Sequence, residues 1–122
     1  MIAHTGLPVK NYKKSKTMYL KMLKPLGYKL NMEYGEAAGF MEGGHTSFWI
    51  GKAKKVIPLH VAFQVKNKKA VDEFYKAALK AGATDNGGPG YRSEYWPGYY
   101  AAFVHDADGH NIEAVYYDYK KK

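Results

Sequence analysis

The sequence predicts an α+β chain made of two copies of one β-α-β-β-β module. Three observations carry that expectation. Shifted by 56 positions, "HTGLPVKNYKKSKTMYLKMLK" from His4 falls on "HVAFQVKNKKAVDEFYKAALK" from His60 without a gap, and eight of the 21 positions match. Each copy opens with a short apolar run and continues into a pattern of helical period. Each then breaks into strand-like pieces separated by glycine-rich turns.

The elements follow in order. The opening strands are "IAHTGLPV" and "PLHVAFQV". In the first copy Met18, Tyr19, Met22 and Leu23 share one helix face, and Pro25 and Gly27 end the helix. In the second, Val71, Phe74, Tyr75, Ala78 and Leu79 form the face and Gly82 ends it. Three strands follow the first helix: "YKLNMEY", "AAGFMEG" and "TSFWIG". A weak "ATDNGG", then "YYAAFVH" and "NIEAVYY", follow the second. "GKAKKVIP" joins the copies, so one domain is expected, with modules 1–56 and 57–122.

Composition narrows the function classes. With no cysteine there is no disulfide, thiolate nucleophile or thiolate-bound zinc. No apolar run has signal-peptide or membrane-spanning length, which suggests a cytoplasmic protein without a membrane partner. The net charge is +8, but Arg92 is the sole arginine. Sequence-reading nucleic-acid surfaces rely on arginine forks, so the excess reads as a solvated lysine surface and no nucleic-acid partner is expected.

Three polar residues interrupt apolar strands. His4 and His60 hold equivalent places in the two opening strands. Glu113 lies mid-strand after the turn "DADG", on the face shared by Asn111, Val115 and Tyr117. A carboxylate there faces water or something that needs negative charge. A pseudo-twofold axis between the modules would bring the two histidines face to face, with Glu113 on a neighbouring strand. Two imidazoles and a carboxylate suit a first-row divalent ion with open coordination positions.

The two openings and the ending "YYAAFVHDADGHNIEAV" resemble the vicinal oxygen chelate superfamily over essentially the whole chain. That superfamily holds glyoxalase, bleomycin-resistance protein, fosfomycin-resistance thiol transferases and extradiol dioxygenases. The ending is close to the "YYAAFV-DPDGHNIEAV" of a common group of small members, with Ala107 in place of the proline. The resemblance implies paired modules whose sheets curl as a half-open barrel around a metal and substrate cavity. It implies His4, His60 and Glu113 as metal ligands, Glu113 also being catalytic, and a fourth ligand near Phe48 or Trp49. No ligand-type side chain stands there, so a true glyoxalase is disfavoured. The ion would be Fe or Mn for dioxygen chemistry, and Zn, Ni or Mn for lyase or transferase chemistry.

The expected function is therefore a metal-dependent dioxygenase or lyase acting on a small oxygen-bearing substrate. A non-catalytic, bleomycin-resistance-like binding protein is the alternative. The family's habit of forming homodimers, sometimes with exchanged modules, implies that His4 of one chain can meet His60 and Glu113 of another. Phe48, Trp49, Arg92, Trp96 and Tyr100 are the expected substrate-pocket residues, with Tyr100 or Tyr99 as a donor to a bound oxygen. Arg92 would clamp a carboxylate or phosphate, or else pair with Glu94 at the surface. His45, His105 and His110, in or beside turns, are expected to be solvent-exposed.

Overall fold

A computed structural model describes residues 1–121; Lys122, the last residue of the second expected module, lies outside the described residues. The first module runs β1 (Thr5–Val9), α1 (Tyr12–Leu23), β2 (Lys29–Tyr34), β3 (Ala37–Glu42) and β4 (His45–Lys52). The second runs β5 (His60–Gln64), α2 (Lys68–Lys80), β6 (Thr84–Asp85), β7 (Gly90–Tyr91), β8 (Tyr99–His105) and β9 (Asn111–Tyr117). The weak piece "ATDNGG" yields only two strand residues. β7 is a two-residue pairing with β8 inside "GGPGYRSEYWPGYY", whose glycines and prolines by themselves read as a loop.

Each module makes its own sheet. The strand orders are β1-β4-β3-β2 and β5-β9-β8-β6, with β7 also on β8, and neither sheet closes into a barrel. In both sheets the opening strand runs parallel beside the closing strand. The matched asparagines of the repeat now have a reason. Asn11 and Asn67 cap α1 and α2, each side chain accepting from the backbone N–H three residues on. Among the described residues no helix is long and apolar enough to cross a membrane.

The helix faces meet in one core. Tyr19, Met22 and Leu23 of α1 and Val71, Phe74 and Ala78 of α2 are fully buried. At the seam between modules Phe48 of β4 meets Phe63 of β5 edge-on, ring centroids 5.1 Å apart. Parity sorts the last strand as expected. Ile112 and Ala114 enter the core, while Glu113 lies on the opposite face.

The turn before β9 fastens the modules together. Asp106 Oδ1 accepts from the backbone N–H groups of Asp108 and His110, both at 2.9 Å. Its Oδ2 accepts from the hydroxyl of Tyr19 on α1. Asp108 Oδ1 accepts from the Lys10 N–H at 3.2 Å. His110 overturns its expected exposure: none of its surface is accessible. Its Nδ1 accepts from the Leu59 N–H at 2.9 Å, and its Nε2 donates to the Pro8 carbonyl at 2.7 Å. A buried imidazole is tolerated there because both ring nitrogens are satisfied by backbone groups ahead of β5 and in β1. His105 is half-buried, and His45 is exposed as expected.

Among the described residues six of the twelve tyrosines donate their hydroxyl to a carboxylate: Tyr12, Tyr19, Tyr75, Tyr91, Tyr99 and Tyr100. Burial first, and then the neighbouring carboxylate, pushes Tyr12 and Tyr100 up to about 12 and Tyr19 well above its ordinary value.

Two expectations follow. Tyr19→Phe leaves Asp106 Oδ2 buried without its partner and should cost about 1–3 kcal/mol in urea unfolding. In alkali the unfolded chain ionises its tyrosines from about pH 10. The folded chain keeps those protons, so unfolding releases them and stability falls as pH rises above that value. Unfolding curves from pH 9 to pH 11 should show that fall, with a shallower slope in Tyr19→Phe.

Candidate metal and substrate site

Glu113 is 2% exposed on the outer face of the second sheet, so its charge needs partners. It has two. In the β5–β9 pairing Glu113 stands opposite Ala62, two residues beyond His60 on the same face. His60 Nε2 thereby reaches Glu113 Oε1 at 3.1 Å. From β8, the Tyr99 hydroxyl donates to Oε2. Burial, and next the bond to Glu113, drives the Tyr99 hydroxyl far above its ordinary value, so it is a donor at any physiological pH.

The His60 ring is set for a cation. Its Nδ1 lies 3.0 Å from the Asn111 carbonyl oxygen, which can only accept, so Nδ1 carries the hydrogen. In the neutral ring Nε2 then holds the lone pair, aimed at a carboxylate oxygen. Two lone-pair atoms at 3.1 Å repel unless a proton or a metal ion is shared between them. Histidine ligands are commonly oriented by such an Nδ1–H to a carbonyl, leaving Nε2 for the metal. A shared proton accounts for this contact as well as a metal ion does, and one imidazole with one carboxylate are donors of the kind a first-row divalent ion takes.

His4 lies elsewhere. It precedes β1 and lines a hollow of about 500 Å3 on the first sheet with Met32, His45, Thr46 and Trp49. The register shows what this place is. β1 pairs Gly6 with Trp49 as β5 pairs Ala62 with Glu113, so Trp49 is the counterpart of Glu113 and His4 that of His60. Of the two places expected for a fourth ligand, Trp49 is the equivalent one. Its indole lies across β3 and stacks on Tyr34, centroids 6.2 Å apart at 16°. Only glycine permits that pose. A Cβ on Gly39 would come within 2.9 Å of the indole ring and 2.8 Å of the Thr46 methyl.

The chain thus brings His60 and Glu113 together and adds Tyr99. It does not gather His4 with them in one copy. The one group of three ligand-type residues among the described residues is Asp106, Asp108 and His110, with ligand atoms within 4.8 Å of one another. That group is near enough to hold an ion, but its hydrogen bonds already use both His110 nitrogens and both Asp106 oxygens. Only Asp108 Oδ2 lacks a partner.

Two expected pocket residues face the wrong way. Phe48 packs in the core against Tyr19 and Phe63, not into a pocket. Tyr100 sits on the core side of β8 and donates to Asp72 of α2 at 2.7 Å. Trp96 stands edge-on to Tyr117 and Tyr119 in an exposed aromatic cluster. Tyr117 in turn meets Tyr99. Strand parity contains the signal for Tyr99. Once "DADGH" is read as a hairpin pairing Phe103 with Glu113, the odd-numbered residues of β8 share the face of Glu113 and Tyr100 does not.

The model of the Glyoxalase/Bleomycin resistance protein/Dioxygenase superfamily matches residues 1–114. The chain belongs to that superfamily. Solved structures agree at the level of the fold. A glyoxalase/bleomycin resistance protein from Albidiferax ferrireducens T118 is 22% identical with a TM-score of 0.83, covering 93% of this chain and 97% of its own. A glyoxalase/bleomycin resistance protein/dioxygenase family enzyme from Burkholderia phytofirmans PsJN is 15% identical with a TM-score of 0.74, covering 95% and 98%. A mutant of the genomically encoded fosfomycin resistance protein FosX from Listeria monocytogenes, complexed with Mn(II) and 1S,2S-dihydroxypropylphosphonic acid, is 18% identical. Its TM-score is 0.69, and 94% of this chain and 88% of that one are covered. No curated protein sequence matches.

In this superfamily member the Tyr99 hydroxyl is the only hydrogen-bond donor to Glu113 Oε2 among the described residues. Tyr99→Phe should therefore cost the metal-free protein about 1–3 kcal/mol, read as a lowered urea midpoint with an unchanged slope.

Proposed function

We propose that the protein is a divalent-metal-dependent enzyme, of dioxygenase or lyase type, acting on a small oxygen-bearing substrate. His60 and Glu113 of one copy and His4 of a second copy hold the ion. The carrying observation is the His60 ring, whose Nδ1–H is spent on Asn111 while Nε2 meets the buried oxygen of Glu113. The Mn(II) held by the FosX structure supports a metal in this fold.

The pairing of copies follows from the two half-sites. His4 with Trp49 and His60 with Glu113 occupy equivalent registers on two separate sheets. A twofold dimer that lays the first sheet of one copy against the second sheet of its partner makes two identical sites. It also covers the exposed Met32 and Tyr34.

The ion, when bound, supplies a Lewis acid that polarises a substrate oxygen, and Fe or Mn adds the option of dioxygen chemistry. The protein's own groups do the rest. Glu113 brings its carboxylate from a nearly buried position beside the half-exposed His60. Tyr99 fixes one of its oxygens, which leaves the other toward His60. Trp49 fills the place of a second carboxylate with an apolar wall, so the set has three ligands and open positions. The same wall favours the second reading, a non-catalytic protein that sequesters an aromatic ligand.

Metal analysis separates the two. Untagged native protein should take up about one first-row divalent ion per chain at neutral pH, and His60→Ala should bind it at least about 100-fold more weakly. A native protein that takes up none contradicts the enzyme reading and leaves the binding one.

A further inference from the structure

We propose that Arg92 is a fixed anchor for an oxyanion, receiving the carboxylate or phosphoryl group of a small substrate beside Glu113. This names the substrate class of the site and rests on the reading of that face as the place where substrate binds.

Arg92 is the only arginine in the chain. Its guanidinium lies over the Phe103 ring, 5.4 Å from the centroid. Phe103 stands directly across from Glu113 in the β8–β9 pairing, so the two side chains share a face. Directly opposite residues have Cβ atoms about 5 Å apart. The cation thus lies against the ring that faces Glu113 across the β8–β9 pairing.

The loop is shaped around this cation. Nη1 donates to the Gly90 carbonyl at 2.9 Å and Nη2 to the Gly88 carbonyl at 2.7 Å. A Cβ on Gly87 would lie 3.1 Å from Nη2, and one on Gly90 would lie 3.2 Å from Nη1. Both are tighter than ordinary packing, and Gly87 has φ +139°, a region other residues rarely adopt. The glycines of "GGPGYR" thus let the backbone close on the guanidinium and fix its plane.

The charge is held but not neutralised. No carboxylate lies within ion-pair distance of Arg92 among the described residues, although the exposed Glu94 is two residues away. A guanidinium has five N–H donors, and the two carbonyls use two. The remaining donors keep the planar fork that suits carboxylate and phosphoryl oxygens, and its geometry is set before any ligand arrives. The +8 net charge would raise the local concentration of such anions. A bare loop staple needs only the two carbonyl bonds and makes no use of the others.

Because the arginine is unique, its side-chain Nε–Hε pair gives one unambiguous NMR signal. Inorganic phosphate is titrated into the full-length protein at constant ionic strength, as purified and again after dialysis against a chelator. The signal should shift and saturate in the millimolar range in both samples, with the Gly88, Gly90 and Phe103 amides shifting alongside. Arg92→Lys should weaken the response of those amides at least tenfold. An Arg92 signal that does not move overturns the proposal, as does an equal response in Arg92→Lys, which would assign the binding to surface lysines. If the variant fails to fold, the native titration decides alone: a saturating shift of the Nε–Hε signal supports the anchor and an unmoved signal overturns it. Metal uptake is read separately, so loss of either result leaves the other standing.

Discussion

The hydrogen bonds around Asp106 hold this fold in its particular shape. Each module alone has one helix on one small sheet, with edges it cannot cover. The turn "DADGH" ties the second module to the first through Tyr19, Lys10 and Pro8. These bonds sit where the core passes from one sheet to the other, and the buried groups involved would be costly to leave unpaired. With that turn set, Phe48 meets Phe63 and the two helices share one core. The outer faces of both sheets are then left free for chemistry.

That arrangement explains the division of the site. The core-facing residues of the two sheets are spent on each other. His4 and Trp49 therefore end on one outer face, and His60, Glu113 and Tyr99 on the other. On the proposed reading each face alone is half of a site. One half carries an acid and an oriented imidazole, and the other an imidazole and an apolar wall. The repeat that makes the halves equivalent in register also makes a twofold pairing the economical way to complete them.

Much of this was legible in the sequence because a repeat constrains both modules at once. The shift of 56 positions found both helices, both opening strands and the equivalence of His4 with His60. Period-two alternation put Glu113 on the face opposite Ile112 and Ala114. The failures share a cause. The burial of His110 depends on backbone groups near positions 8 and 59, far away in the chain, which a local turn pattern does not reveal. The expectation that Phe48 or Trp49 takes the fourth ligand place, and that Tyr100 or Tyr99 donates to a bound oxygen, left strand parity unused, and parity sends Phe48 and Tyr100 to the core side. The relative placement of the two modules, which separates His4 from His60, is tertiary and has no local signature.

The most direct test of the shared site is metal binding by mixed chains. His4→Ala and His60→Ala proteins, each unable to complete a site with itself, are unfolded together in equal amounts and refolded. If the ligands come from two copies, half the dimers are mixed and each holds one intact site. Metal content should then recover to about a quarter of the native value. Native protein that binds metal beside a mixture that recovers none would contradict the account, because it would place all the ligands within one chain.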